Sequence, residues 1–214
     1  MKVMLVNGSP HKNGSTNAIL VELAKEFAKN GIESEIFWVG AKPVSGCLGC
    51  YKCSDLGKCV ITDDGVNDFA EKAKDADAFI FGTPVHYAAA SGSLTSFMDR
   101  LFYSRPKSYY NFKPAAVVTT ARRAGTTATY DQINKYFGIM QMPIISTRYW
   151  NMVFSGENPE DIINDTEGIQ AMRMLARNMS YYLKCMEAGR EKGINPPEQE
   201  ETSWCNFQRS NFCR

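Results

Sequence analysis

The stretch Lys2-Val3-Met4-Leu5-Val6-Asn7-Gly8-Ser9-Pro10-His11-Lys12-Asn13-Gly14-Ser15-Thr16-Asn17 decides the architecture. Its first six residues form a short apolar run that ends at Gly-Ser-Pro, which reads as a strand buried on both faces. From Thr16 to Lys29, Ala18, Ile19, Leu20, Leu23, Ala24 and Phe27 recur at helical spacing, and Asn30-Gly31 stops the helix.

The same alternation continues outward. Glu33 to Val39, Ala78 to Gly82, Ala115 to Thr120 and Pro143 to Thr147 read as further strands. Helical periodicity covers 64–75, 93–103, 127–137 and 167–192. The last of these places Ile169, Met172, Leu175, Met179, Tyr182 and Leu183 on one stripe. Residues 40–64 lack periodicity and form a long loop, a length that in a compact domain is usually functional. Five apolar strands alternating with helices predict an α/β fold with a parallel sheet covered on both faces. Right-handed crossovers leave few topologies. The common five-stranded solution is the flavodoxin-like three-layer sandwich in order 2-1-3-4-5, with ligands at the carboxyl ends of strands 1 and 3. A dinucleotide-binding fold competes, but its Gly-rich fingerprint after the first strand is missing. We expect one domain over 1–193, with the cysteine-rich loop at 40–64, and a Pro- and Glu-rich tail over 194–214.

Composition narrows the class of partner. The 214 residues are 44% hydrophobic and 22% charged with a net charge of +1, an ordinary globular balance. No global field recruits nucleic acid or a membrane surface. No apolar stretch reaches the roughly 20 residues that span a bilayer. The N-terminal run is too short for a signal peptide. The expectation is a cytoplasmic protein that binds neither nucleic acid nor membrane.

The segment after strand 1 is built for an anion. A helix N-terminus presents unpaired N–H groups and the positive end of its dipole. Ser9, Ser15 and Thr16 add hydroxyls, His11 or Lys12 adds charge, and Gly8 and Gly14 permit close backbone approach. The competing reading is a plain capped turn with Ser15 or Thr16 as N-cap. Its position at the end of strand 1 favours phosphate. It is not a P-loop, since the Gly-Lys-Ser/Thr ending is absent.

Seven cysteines occur: Cys47, Cys50, Cys53, Cys59, Cys185, Cys205 and Cys213. Four fall within thirteen residues, spaced Cys-x2-Cys-x2-Cys-x5-Cys, which points to metal or redox chemistry. Four thiolates can hold a [4Fe–4S] cube, one per iron. Tetrahedral zinc is the rival, although its sites usually use two pairs separated by a longer stretch. Free thiols are the third alternative. Lys52 and Lys58 flank the thiolates and offset negative charge. Cys185 is expected to be buried packing on the last helix, and Cys205 and Cys213 surface thiols of the tail.

Gly8-Ser9-Pro10-His11 through Gly14-Ser15-Thr16-Asn17 resembles the phosphate loop of the NADPH-dependent FMN reductase family. Gly82-Thr83-Pro84-Val85-His86-Tyr87 resembles that family's second flavin loop. Cys47 to Cys59 followed by Asp63-Asp64 resembles its iron–sulfur flavoprotein branch. The resemblance implies FMN between the loops after strands 1, 3 and 4, NAD(P)H as co-substrate, and a homodimer or homotetramer. It assigns Ser9, His11, Gly14, Ser15, Thr16 and Asn17 to the phosphate. Pro84, Val85, His86 and Tyr87 fall along the isoalloxazine ring. Thr120, Arg122, Arg123 and Gly125 belong to the third loop. His11 departs from the more usual Arg or Lys, so its charge depends on protonation. No side chain is assigned as a catalytic acid or base. The expected function is FMN-dependent electron transfer between a reduced donor and a small-molecule or redox-protein acceptor. The alternatives are a flavodoxin-type carrier without its own substrate, and a non-redox metal- or partner-binding module.

Overall fold

The computed structural model describes residues 1–201. Five parallel strands form the sheet: β1 (Lys2–Asn7), β2 (Glu33–Trp38), β3 (Ala78–His86), β5 (Ala115–Ala121) and β6 (Met152–Phe154). Their spatial order is β2-β1-β3-β5-β6. The remaining strand, β4 (Ala89–Ala90), is a two-residue return that pairs antiparallel with the end of β3. With β4 set aside this is the flavodoxin-like order expected above.

Alternation along the central strands builds two cores. Val3 and Leu5 of β1 and Ala78 and Ile80 of β3 face one side, where they meet α1 (Ser15–Lys29) and α6 (Thr166–Glu191). Met4, Val6, Phe79 and Phe81 face the other, against α3 (Val66–Lys74), α4 (Gly92–Tyr103) and α5 (Thr126–Ile139). Phe69 centres this second core, its ring within 6.4 Å of the rings of Phe37, Phe79, Phe81 and Phe97.

Three expectations need correction. Residues 143–147 are not the fifth strand. They approach β5 only briefly, where Ala115 N–H donates to Pro143 O and Ile145 N–H to Ala115 O. The chain then leaves the sheet and rejoins it as β6. Ile144 pairs with Ala115 and Met152 with Thr119, so eight steps of this segment run beside four of β5. The surplus is looped out and carries exposed Tyr149 and Trp150. Pro143-Ile144-Ile145 has the composition of a strand, but only the later Met152-Val153-Phe154 sustains the ladder. Tyr182 and Cys185 are both exposed rather than packed inward on α6. Cys205 and Cys213 lie outside the described residues.

Helices α1 and α6 are joined by an ion pair at the core boundary. Arg177 Nε donates to Glu26 Oε1 at 2.6 Å, and Lys29 Nζ donates to Glu26 Oε2 at 3.0 Å. The Arg177 hydrogen bond, followed by that of Lys29, holds the buried Glu26 carboxyl below its ordinary value of 4.5. Its stabilising contribution is therefore complete above that value and is lost as pH falls through the depressed folded-state pKa. Glu26→Gln will lower the melting temperature at neutral pH and remove this share of the acid-side loss. Melting curves from pH 7 to pH 3 that stay parallel for the two proteins would contradict the assignment.

Candidate functional site

The carboxyl end of β1 meets the middle of β3. Gly8 N–H donates to Gly82 O at 2.9 Å. A Cβ on Gly8 would lie 2.8 Å from Leu94 Cβ and 3.0 Å from Gly82 O, and one on Gly82 would lie 2.9 Å from Thr16 Cγ2. Ser91 closes the junction: its hydroxyl donates to Gly8 O at 2.6 Å, and its N–H donates to Thr83 Oγ1 at 3.0 Å. The same hydroxyl accepts from Leu94 N and caps α4.

Beyond Gly8 the chain wraps over the start of α1. Buried Asn7 organises the wrap, its Oδ1 accepting from Ser9 N at 3.0 Å and its Nδ2 donating to Lys12 O at 3.1 Å. Ser9 Oγ accepts from His11 N at 3.1 Å. Trp38 Nε1 donates to Ser9 O at 2.9 Å, while Lys12 Nζ lies over the Trp38 ring. The N-cap of α1 is Gly14, which has no side-chain oxygen, so the first-turn amides of α1 are left to another acceptor. Thr16 Oγ1 is buried with no hydrogen-bond partner, and so is Thr120 Oγ1 at the end of β5. An unpaired buried hydroxyl is costly, and both of these line the same cleft.

That cleft gathers most of the residues expected from sequence. Ser9, His11, Gly14, Ser15 and Thr16 form one wall. Pro84, Val85 and His86 form a second, and Thr120 and Arg122 a third. Asn17 is half-buried on α1, away from the lining, and Arg123 is exposed beside it. Tyr87 is fully exposed at the tip of the β3–β4 hairpin. Gly125 supports that hairpin from below: at φ +100°, its absent Cβ would fall 2.8 Å from Ala88 Cα and from Val85 Cγ1.

Sequence reasoning missed Asn7, Trp38, Ser155 and Gly156. Ser155 and Gly156 line the cleft, and Ser155 Oγ lies 2.8 Å from Ser15 Oγ. A Ser-Gly pair directly after a strand is a readable signal, lost here because the fifth strand was expected at 143–147. Nothing local marks Trp38, which acts across 29 positions of sequence.

The cysteine loop follows β2 and contains one short helix, α2 (Cys53–Leu56). Cys47, Cys50, Cys53 and Cys59 line one hollow with Tyr103 and Arg100. The rim is apolar and exposed at Leu48, Tyr51 and Leu56. Lys52 and Lys58 are exposed at its edge. Among the described residues, no three His, Cys, Asp or Glu side chains converge to hold a single metal ion. The four thiols surround a hollow rather than meeting at a point. Four thiols around one hollow match the ligand number of a cube that takes one thiolate per corner, and equally that of a tetrahedral ion. Arg100 is fully buried beside them. Burial pulls its pKa down, while hydrogen bonds to Asp64 and Cys59 outweigh this, so the net shift is upward and the guanidinium stays charged. The Tyr103 phenol is pushed up by desolvation and by Tyr51, Cys53 and Cys47 around it.

Fold and cleft define a flavin oxidoreductase of flavodoxin architecture. The chain belongs to the NADPH-dependent FMN reductase family, whose model matches residues 1–157. It is similar to an iron–sulfur flavoprotein of Methanocaldococcus jannaschii, at 32% identity over 196 residues, 87% of this chain and 100% of that one. A second iron–sulfur flavoprotein, from Methanosarcina thermophila, is 28% identical over 198 residues, covering 90% of this chain and all of that protein. Among solved structures, RosB with a bound riboflavin-phosphate intermediate aligns with a TM-score of 0.71 over 94% of this chain and 91% of RosB. At 15% identity that likeness concerns the fold alone.

The β3–β4 hairpin is strained. Tyr87 and Ala88 are its two turn residues, at φ +50° and +58°, a conformation that hairpin turns usually assign to Asn-Gly. Each non-glycine residue there costs about 1–2 kcal/mol. Replacing the pair by Tyr87→Asn and Ala88→Gly will raise the stability of the flavin-free chain by about 1–2 kcal/mol, read from denaturant unfolding. An unchanged or lower stability would show that the turn is relaxed.

Proposed function

We propose that this chain binds FMN with its phosphate on Ser9, His11 and Gly14 through Asn17, and passes electrons from NAD(P)H to a small-molecule or redox-protein acceptor. On this reading Pro84 through Tyr87 lie along the isoalloxazine ring. Thr120, Arg122, Arg123 and Gly125 form the third loop, with Arg122 supplying positive charge at the cleft. A [4Fe–4S] cluster on Cys47, Cys50, Cys53 and Cys59 serves as a one-electron centre. The domain boundary at 193 and a homodimer or homotetramer complete the proposal.

One observation carries the phosphate site. Two buried hydroxyls without partners, Thr16 and Thr120, line the cleft into which the uncapped start of α1 opens. A phosphate accepts from hydroxyls and from helix N-terminal amides alike, so one ligand satisfies both deficits. FMN when bound supplies hydride acceptance and one-electron release, chemistry that no side chain provides. The protein's part is to seat the phosphate, hold the ring against a stiff hairpin and set the charge around it.

Absorption of anaerobically purified protein, paired with iron and sulfide analysis, tests the reading. We expect flavin bands, a broad shoulder bleached by dithionite, and about four irons per chain. Flavin without iron leaves an FMN reductase with four free thiols. No flavin after incubation with FMN removes the whole reading. Flavin without NAD(P)H turnover leaves an electron carrier. Thr16→Val gives a sharper check, because it keeps the methyl facing Gly82 and removes only the orphaned hydroxyl. The flavin-free variant should be at least as stable as the parent, while FMN affinity falls about tenfold, the value of one charge-assisted hydrogen bond. Unchanged FMN affinity would place the phosphate elsewhere.

A further inference from the structure

We propose that Arg100 positions Cys59 and sets the electron affinity of the centre held by the cysteine loop, a role that rests on the cluster reading above. The guanidinium has five N–H donors, and all five are used. Nε donates to Cys59 Sγ at 3.2 Å. Nη1 donates to Ser45 O at 3.3 Å and to Asp64 Oδ2. Nη2 donates to Ile61 O at 3.0 Å and to Asp64 Oδ1 at 3.2 Å. Ser45 precedes the first cysteine and Ile61 follows the last, so one buried side chain ties both strands of the loop's neck. Asn67 reinforces the second strand, donating to Cys59 O and Ile61 O and accepting from Cys59 N.

The chemistry follows from charge and direction. A hydrogen bond to a ligating sulfur and a nearby cation both stabilise the reduced, more negative state of an iron–sulfur centre, and both raise its potential. Asp64 offsets part of the cation and acts in the opposite sense. Lysine cannot replace this arginine, because an ammonium lacks the planar fork that reaches sulfur, carboxylate and two carbonyls together. Arg100 is thus a positioning residue: it acts on the centre through Cys59 and contacts no substrate.

The test compares cluster midpoint potentials in the full-length protein, reconstituted anaerobically, for the parent chain and for Arg100→Lys, Arg100→Gln and Asp64→Asn. Each sample is first assayed for iron and sulfide. The two Arg100 variants should have lower potentials, with Arg100→Gln lower by about tenfold in electron affinity, which is about 59 mV for a one-electron centre. Asp64→Asn should have a higher one. Opposite signs are the signature of a hydrogen bond to sulfur, lost in both Arg100 variants, and of charge, changed in Arg100→Gln and Asp64→Asn, since a loop merely loosened would move in the same direction in every variant. If Arg100→Gln fails to take up iron, Arg100→Lys against Asp64→Asn still supplies the pair of signs. Equal potentials, or shifts of one sign, in iron-loaded proteins would overturn the role of Arg100 alone. A parent chain that takes up no iron overturns the cluster reading and this role with it.

Discussion

The close approach of β1 and β3 at Gly8 and Gly82 is the constraint on which the rest of the site depends. Here a direct N–H to carbonyl bond joins them one residue past β1, and no Cβ fits at either position. The consequence is that the turn after β1, the upper part of β3 and the start of α4 are joined by direct hydrogen bonds. Ser91 makes this explicit by spending one hydroxyl on Gly8 and on the cap of α4 together. A cofactor seated there meets a wall already formed, so little ordering entropy opposes its binding.

Two buried hydroxyls without partners lie on that wall. Buried hydroxyls are normally paired, and an orphan costs about 1–3 kcal/mol. Thr16 and Thr120 come from a helix and a strand far apart in sequence, and both line one cleft. The strained Tyr87-Ala88 turn lies at the same rim, held by Gly125. Local cost of this kind concentrates where a ligand is received, and the surrounding sheet, rigid on both faces, is what sustains it.

Much of this was legible in the sequence because it is local. A strand, a Gly- and Ser-rich turn and a helix start are contiguous, so this wall of the cleft could be read directly from 7–17. The cysteine spacing announced a second site for the same reason. What escaped was non-local. Trp38 reaches Ser9 from the next strand, and Arg100 reaches Cys59 from two helices on. Periodicity marks only the apolar members of a helix face, so a buried arginine between Met98 and Leu101 leaves no trace in it. The fifth strand failed for a different reason. Two apolar stretches compete for one edge of β5, and composition alone does not say which keeps its register.

Helix α4 links the two halves of the molecule's chemistry. Its N-cap, Ser91, is bonded to Gly8 at the end of β1, and its Arg100 is bonded to the neck of the cysteine loop. At 1.5 Å per residue these anchor points lie about 14 Å apart along one helix axis. Phe97, Met98 and Leu101 fix that helix in the aromatic core, fully buried. A helix pinned at both ends and along its length cannot slide without breaking the Gly8 junction, the arginine fork or the packing around Phe69. The spacing between the cleft and the cysteine hollow within the chain is therefore set by the length of a rigid element.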